Sequence, residues 1–178
     1  SFLGPLFKPN EIEKQLYNLG AKFNLLEDES IISITAKNLA DGKAVGWFSG
    51  KMEFGPRSLG SRSILADPRN ENMQKQLNLK IKYRESFRPF APSILFEDLQ
   101  EWFDLKVESP YMLLVSNIKK SKIIEMTDRE KKLFGIDKLN IKKSEIPAVT
   151  HVDFSSRVQT VHKETNIRYY NLIKKFKE

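Results

Sequence analysis

The sequence predicts a single α/β (α+β) domain, and three observations support this fold class. The chain has 178 residues, which is enough to bury one hydrophobic core. Hydrophobic residues make up 40% of it and charged residues 30%, a balance typical of folded proteins. Short segments with a strand pattern alternate along the chain with short segments of helical spacing, as in mixed folds.

Helical spacing of apolar residues predicts the helices. The first begins at Pro9 and ends near Gly20, where a glycine suits the position after a helix. Residues 30–41 fit either state, because Ser30 and Gly42 would bound a helix whereas the run IISIT also suits a strand. Further helices are expected after Asn70, over residues 96–103 and over residues 166–176.

Five segments are predicted to be extended. Runs of apolar or alternating residues indicate them, and prolines and glycines bound them. Pro89 and Pro92 exclude a helix interior from one of these segments. The segments are 43–48, 63–66, 89–95, 111–115 (expected to be a buried strand) and 157–161.

Residues 118–143 have little regular pattern and contain eight lysines. We expect an exposed, lysine-rich insertion there, because charge runs generally face solvent. The chain lacks an initiator Met, so we expect a fragment of a longer chain that forms one domain over residues 1–178.

The charge balance favours anionic partners. Lys and Arg number 30 against 23 Asp and Glu, a net charge of +7, which suits phosphate esters, nucleotides or nucleic acid. The absence of cysteine excludes a disulfide framework, a thiol nucleophile and a Cys-ligated metal, and two histidines argue against a His-rich metal site. No apolar run long enough to span a membrane and no signal peptide is present, so we expect a cytoplasmic protein.

A glycine-bearing loop, residues 49–61, follows the first predicted strand. Gly55 and Gly60 allow sharp turns and a close approach of the backbone to a ligand. Arg57 and Arg62 carry planar guanidinium groups that match phosphate oxygens. Glu53 would orient one of these arginines or bind Mg²⁺. The same pattern also fits an ordinary Gly-Pro turn with solvated charges.

The segment 80–93 interleaves cations with aromatic residues. If it is extended, its even-numbered side chains share one face and form a phosphate-binding wall. The alternative is an amphipathic edge strand whose lysines prevent aggregation. The residues of this face are Lys80, Lys82, Arg84, Ser86 and Arg88.

A third segment, 146–159, contains His151, Asp153, Ser156 and Arg157, which would close a site. A lone histidine is more often structural than catalytic. A Ser-His-Asp hydrolase would use the same residue types, but the chain has no Gly-x-Ser-x-Gly elbow, so we favour it less. A Walker loop, a GxGxxG fingerprint, HExxH and an EF-hand loop are also absent from the sequence.

Taken together, these segments resemble the C-terminal domain of the carbamoyltransferases of the nodulation and antibiotic-tailoring type. The resemblance rests on five stretches in the family's order, which read GKMEFGPRSLGSRSILADPR, KIKYRESFRPFAPS, SPYMLLV, IPAVTHVDFSSRVQTV and NIRYYNLIKKF. They cover most of the chain, whereas the lysine-rich residues 118–143 depart from the family pattern.

The resemblance implies a YrdC-like fold, with a twisted mixed sheet flanked by helices around an open basic cavity. It implies ATP and carbamoyl phosphate as ligands, Mg²⁺ as a cofactor, and formation of a carbamoyl-adenylate. An N-terminal, actin-like domain of the full-length chain, expected to carry iron, would transfer the carbamoyl group to an acceptor hydroxyl.

The resemblance also implies roles for individual residues. Lys82, Arg88 and Arg57 would be catalytic, because they would neutralise charge on the phosphate oxygens. No metal ligands are expected in this chain. The further candidates for substrate contact are Arg62, Arg84, Ser93, His151, Ser156 and Arg157.

A second class of function stays open, namely a YrdC-like module that binds RNA or nucleotides without catalysis. The net charge of +7 suits it. Nucleic acid is nevertheless the less favoured partner, because the aromatic residues form no RNP-type pattern and the cations cluster in short motifs. A domain that only docks the N-terminal half is a third possibility.

Overall fold

Helices and strands alternate along the chain as predicted, and the fold is α+β. The computed structural model describes residues 1–134 and 141–178. Over these residues the α-helices are α1 (Pro9–Asn18), α2 (Asp28–Ala40), α3 (Met73–Lys80), α4 (Leu99–Trp102), α5 (Asp128–Lys131) and α6 (Ile167–Lys177). The strands are β1 (Val45–Phe48), β2 (Arg62–Leu65), β3 (Ser93–Leu95), β4 (Val115–Asn117), β5 (Ser155–Arg157) and β6 (Gln159–Val161). Short 3₁₀ helices span Phe96–Asp98, Lys120–Lys122 and Pro147–Val149.

The strands pair in both directions, and over the described residues they form three two-stranded sheets instead of one twisted sheet. β1 pairs with β2 and β4 with β5, both antiparallel. β3 and β6 are parallel, with Ser93 opposite Gln159. The fully buried Val158 alone separates β5 from β6, so the chain changes sheet at that residue.

The ambiguous residues 30–41 are helical and belong to α2. This helix buries one face, formed by Thr35, Ala36 and Leu39. It ends two residues before Gly42, whose φ of +77° is the left-handed conformation that commonly closes a helix. The helix expected after Asn70 begins at Met73.

Three clusters of buried apolar side chains form the core. The first joins α2, β1, β6 and α6 through Ala36, Leu39, Trp47, Val161, Tyr169 and Leu172. The second consists of Leu99, Phe103, Ile118, Ile146, Val149 and Val158. The third consists of Met73, Leu77 and Ala148. Phe90 packs against the second and third clusters and so holds the segment before β3 between them.

The prediction is wrong in part for two of the extended segments, 89–95 and 111–115. Residues 81–92 form no strand, because α3 continues to Lys80 and the chain then turns repeatedly until β3 begins at Ser93. The even-numbered cations therefore do not share one face of a strand. In the segment 111–115 only Val115 is extended, and it is 62% exposed, whereas Met112, with φ +56°, is the buried residue.

The lysine-rich segment 118–143 is attached to the domain at both ends. Ile118, Ile141 and Lys143 are buried, and a β-bridge joins Ile123 to Ser144. Residues 119–134 are exposed or half-buried, and residues 135–140 lie outside the described part of the chain. Across the two described ranges, each helix is too short or too polar to cross a bilayer.

Candidate functional site

A cavity of ≈ 370 Å³ lies where the glycine-bearing loop, the chain after α3, the strands β3 and β5, and helix α6 meet. Four cationic residues from three separate segments of the chain line it, together with Ser93. The structure thus brings together Arg57, Lys82, Arg84 and Arg157. It does not bring Arg62, Arg88, His151 or Ser156 to the wall of this cavity.

The carboxylate of Glu53 holds the loop that carries Arg57. Glu53 is buried, and its Oε1 accepts hydrogen bonds from the backbone N–H groups of Leu59 (2.8 Å), Ser61 (2.7 Å) and Arg62 (3.1 Å). Burial by itself would raise the pKa of this carboxyl, but the N–H donors outweigh that effect and the pKa is lowered. The hydrogen bonds of Glu53 therefore go to backbone N–H groups of its own loop, and not to the arginine side chain that the sequence suggested.

The guanidinium of Arg62 closes the same loop. It donates hydrogen bonds to the carbonyl oxygens of Ser49 (3.1 Å), Ser61 (2.9 Å) and Gly50 (3.2 Å). Its central carbon lies 3.4 Å from the centroid of the Phe48 ring, a cation–π contact. Because these donors point at backbone carbonyls, Arg62 positions the loop, and its contact with substrate stays a prediction.

Asn78 determines the course of the segment that follows α3. Its side chain is fully buried, and Nδ2 donates to the carbonyl oxygens of Ser86 (3.0 Å) and Arg88 (2.7 Å). Its Oδ1 accepts a hydrogen bond of 2.6 Å from Nε of Arg84. One amide therefore folds residues 84–88 back over the end of α3, and this fold leaves Lys82 and Arg84 at the cavity.

The two cations of this segment that line the cavity differ in their surroundings. Arg84 is held by Asn78 and lies 5.0 Å from the centroid of the Phe90 ring. The ammonium group of Lys82 has no ion pair with any described residue, and its side chain is exposed. Lys82 is thus the cation of the pair whose charge no described carboxylate neutralises.

Arg88 lies outside the cavity. Its Nε is 2.7 Å from Oε2 of Glu85, and the two side chains are 54% and 53% exposed. A hydrogen bond from the backbone of Glu85 itself, followed by the hydrogen bond from Arg88, lowers the pKa of the Glu85 carboxyl. A catalytic role for Arg88 stays a prediction, and it requires this ion pair to open.

Arg157 carries an unneutralised charge on the cavity wall. It is half-buried at the end of β5, and its Nε is buried with no hydrogen-bond partner among the described residues. Burial lowers the pKa of this guanidinium, and the positive charge of Arg57 lowers it further. Two guanidinium groups thus lie close enough to repel each other, and neither forms an ion pair with a carboxylate of the described chain.

Acidic groups do not cancel this charge. Among the described residues that line the cavity, the one acid is Asp67. Its carboxylate accepts hydrogen bonds from Nε (2.9 Å) and Nη2 (2.7 Å) of Arg69. This bidentate ion pair occupies both oxygens of the carboxylate. The cavity therefore has the electrostatic character of an anion receptor.

The third predicted segment does not form a hydrolytic triad. Ser156 is completely buried and its hydroxyl donates to the carbonyl oxygen of Val149 at 2.5 Å. Asp153 accepts hydrogen bonds from the hydroxyl (2.7 Å) and the backbone N–H (3.1 Å) of Ser155, and these bonds lower the pKa of its carboxyl. His151 is half-buried beside them. The serine and aspartate of the suggested hydrolase are thus occupied by other partners.

The sequence interpretation missed Gln159, which joins the elements behind the cavity. Its Oε1 accepts the hydroxyl of Ser93 at 2.8 Å, and its Nε2 donates to the carbonyl oxygen of Leu59 at 2.9 Å. One side chain therefore fixes the glycine-bearing loop to the parallel pair β3–β6. The alternating pattern of residues 157–161 gave no signal for this, because alternation places polar side chains on the solvent face of a strand.

Tyr169 was also missed, because on α6 it has the spacing of a core residue. It is buried against Gly60, where a Cβ atom would lie 2.2 Å from Cδ1 of the ring. Gly60 also has φ +95°, so both space and backbone conformation require glycine. Tyr169 lines the cavity, and burial raises its pKa to about 12.

Comparison with known protein families places the chain in one of them. Residues 36–178 match the family described as Carbamoyltransferase C-terminus. The chain therefore belongs to that family, and the resemblance drawn from the five sequence stretches is confirmed.

Three relatives show the range of similarity. An uncharacterised protein of Synechocystis sp. is 53% identical over 178 residues, which are 99% of this chain and 29% of that protein. The nodulation protein NolNO of Sinorhizobium fredii is 37% identical over 181 residues, 99% of this chain and 24% of that protein. A 3'-hydroxymethylcephem-O-carbamoyltransferase of Amycolatopsis lactamdurans is 38% identical over 138 residues, 78% of this chain and 22% of that enzyme. The chain thus spans less than a third of the length of each of these relatives.

Proposed function

We propose that this chain binds ATP and carbamoyl phosphate and forms a carbamoyl-adenylate, as part of an O-carbamoyltransferase. The observation that carries the proposal is the pair Arg57 and Arg157, two neighbouring guanidinium groups on a cavity wall without a protein counter-ion in the described chain. A phosphate group is the ligand that such a pair binds best, because its oxygens match the planar fork of arginine.

The proposed reaction needs positioning and charge stabilisation more than covalent help from the protein. Hydrolysis of carbamoyl phosphate first gives carbamate and inorganic phosphate. A carbamate oxygen then forms a bond to the α-phosphorus of ATP, and the β- and γ-phosphates leave as pyrophosphate. Negative charge on the phosphate oxygens would be stabilised by Lys82 and Arg157, while Arg57 would hold carbamoyl phosphate or its product. Arg84, held by Asn78, adds a fixed positive charge at the same cavity.

The second half of the proposed reaction concerns the acceptor. A relative is named as acting on 3'-hydroxymethylcephem by O-carbamoyl transfer, so a hydroxyl is the class of acceptor we propose here as well. In the carbamoyl transfer the acceptor oxygen bonds to the carbamoyl carbon, AMP leaves, and the hydroxyl proton is lost. We assign this step to an N-terminal, actin-like domain that carries iron and acts together with this chain.

The described residues do not fit a magnesium ion held by the protein itself. Residues 1–134 and 141–178 contain no group of three or more His, Asp or Glu side chains that would hold a metal. The carboxylate of Asp67 at the cavity is engaged by Arg69. We therefore propose no step that depends on a protein-bound metal, and any Mg²⁺ would arrive coordinated to the phosphates of ATP.

The experiment compares two lysines on the same segment. Lys82 lines the cavity, whereas Lys80, at the end of α3, does not. Calorimetry should show that Lys82→Ala weakens ATP binding and that Lys80→Ala leaves it unchanged. Exchange of labelled pyrophosphate into ATP, dependent on carbamoyl phosphate, should fall on the order of 30- to 1000-fold in Lys82→Ala, because one stabilising donor contributes roughly 2–4 kcal/mol.

Two results would contradict the proposal. Equal losses in Lys82→Ala and Lys80→Ala would mean that bulk charge, not the cavity, binds the nucleotide. ATP binding without any pyrophosphate exchange would favour the alternative of a nucleotide-binding module without catalysis.

A further inference from the structure

Tyr83 has two features that its own chain does not account for. Its backbone is left-handed, with φ +49°, a conformation that is costly for any residue with a Cβ atom. Its side chain is 86% exposed, so no burial of the ring compensates for that cost. Glycine or asparagine would therefore fit the backbone at this position better than tyrosine does.

The strain at Tyr83 is imposed from both sides. The N–H of Lys82 donates to the carbonyl oxygen of Leu77 at 2.9 Å, and the N–H of Arg84 donates to that of Asn78 at 3.0 Å. These bonds tie both flanking residues to the end of α3. Strained residues that are fixed in this way are concentrated at binding and catalytic sites.

The position of Tyr83 indicates which ligand group it meets. Both of its neighbours, Lys82 and Arg84, line the cavity, whereas the exposed ring of Tyr83 does not, so this ring lies outside the cavity and is adjacent in the chain to two of its cations. In nucleotide sites, cations contact the phosphates and an exposed aromatic face stacks on the base. An aromatic ring outside the anion receptor but adjacent to it is suited to the base of the same ligand.

We infer that Tyr83 is the base-binding residue of this site, and that its ring stacks on the purine of a nucleotide whose phosphates contact Lys82 and Arg157. The inference rests on the proposed function, since it requires a nucleotide in the cavity. It adds a specificity determinant that the cations cannot supply, because they bind any polyphosphate.

The test separates the base from the phosphates by using two ligands, ATP and inorganic tripolyphosphate. In Tyr83→Ala the affinity for ATP should fall roughly 5- to 150-fold, the value of one stacked base, while the affinity for tripolyphosphate stays unchanged. Tyr83→Phe keeps the aromatic face and should bind ATP as the unmutated chain does. Tyr17→Ala is the matched control, because Tyr17 on α1 is 79% exposed and lies outside the cavity.

A fourth variant distinguishes a binding role from a structural one. Tyr83→Gly relieves the left-handed strain, so its thermal midpoint should equal or exceed that of the unmutated chain. Its affinity for ATP should nevertheless fall as far as that of Tyr83→Ala. A structural role for Tyr83 predicts the opposite pattern, with lower stability and unchanged binding.

Each remaining outcome overturns the inference in a recognisable way. Equal loss of ATP and tripolyphosphate affinity in Tyr83→Ala would show that the ring acts on the phosphate site, and no loss of either would remove it from the site. In both cases the proposed function would stand. If the unmutated chain binds tripolyphosphate but shows no added affinity for ATP, the inference and the proposed nucleotide both fail.

Discussion

The arginines in and around the cavity differ in how much of their hydrogen-bonding capacity the protein itself uses. Arg62 directs its donors at three carbonyl oxygens, and Arg84 donates to Asn78. Arg157, by contrast, has a buried Nε without a partner in the described chain. Because an unpaired buried donor destabilises the folded protein, an anion that accepts from Arg157 recovers stability as it binds.

Arg88 is the residue for which the sequence and the structure suggest different behaviour. If it binds ATP as the family resemblance implies, its ion pair with Glu85 competes with the ligand. Arg88→Ala should then weaken ATP binding, and Glu85→Gln should strengthen it by releasing the guanidinium. Calorimetric titration of both variants with ATP is the measurement, with Lys80→Ala as a control for the loss of charge.

The two variants decide the role of Arg88 only as a pair. Opposite changes in affinity place Arg88 on the ligand. Unchanged affinity in both variants removes Arg88 from the site and leaves the cations of the cavity wall to account for binding.

At the scale of elements, the glycine-bearing loop between β1 and β2 is organised by a single carboxylate. Glu53 accepts three backbone N–H groups on one oxygen, and Arg62 closes the loop from its other side. The loop presents Arg57 to the cavity. Its conformation is therefore fixed before a ligand arrives, which lowers the entropy lost on binding.

Replacing the carboxylate with an amide tests this account. Glu53→Gln should lower the free energy of unfolding by roughly 1–3 kcal/mol, because buried N–H donors lose a charged acceptor. Since the pKa of Glu53 is lowered in the folded state, the stability it contributes is present above its ordinary pKa of 4.5 and is lost as the pH falls below that value. The difference between the two proteins in urea unfolding should thus be constant near pH 7 and shrink in acid.

Glu13→Gln provides the control, because this substitution removes the same charge from a residue that is exposed on α1. A pH-independent difference between Glu53→Gln and the unmutated chain would contradict the role of the ionised carboxylate.

The elements show why part of the site was predictable from sequence and part was not. Local signals sufficed where neighbours in sequence decide the structure, as at α6, which was expected over residues 166–176 and spans Ile167–Lys177. They failed at residues 81–92, because the course of that segment depends on a buried amide, Asn78, which holds carbonyl oxygens eight and ten residues away. Likewise, no local pattern reveals that Arg57 and Arg157 meet across one hundred residues of chain.

At the scale of the whole molecule, the cavity and the core share their walls. Tyr169 and Leu172 of the first cluster line the cavity, as do Val149 of the second and Met73 of the third. Ligand binding therefore bears directly on the packing of all three clusters. A ligand that fills the cavity should stabilise the entire fold against unfolding by mass action.

Tyr169 links that packing to pH, because it belongs to the first cluster and its ring covers Gly60. Burial raises the pKa of its hydroxyl from 10.0 to about 12, so the folded chain keeps a proton that the unfolded chain releases. The contribution of this protonated hydroxyl to the free energy of unfolding is unchanged below pH 10. It is lost as the pH rises from 10 toward about 12, at about 1.4 kcal/mol per pH unit. Urea unfolding measured across this range should show that loss in the unmutated chain and not in Tyr169→Phe. Since lysines and the other tyrosines titrate alike in both proteins, a constant difference between the two curves would mean that Tyr169 ionises as readily in the folded chain as in the unfolded one.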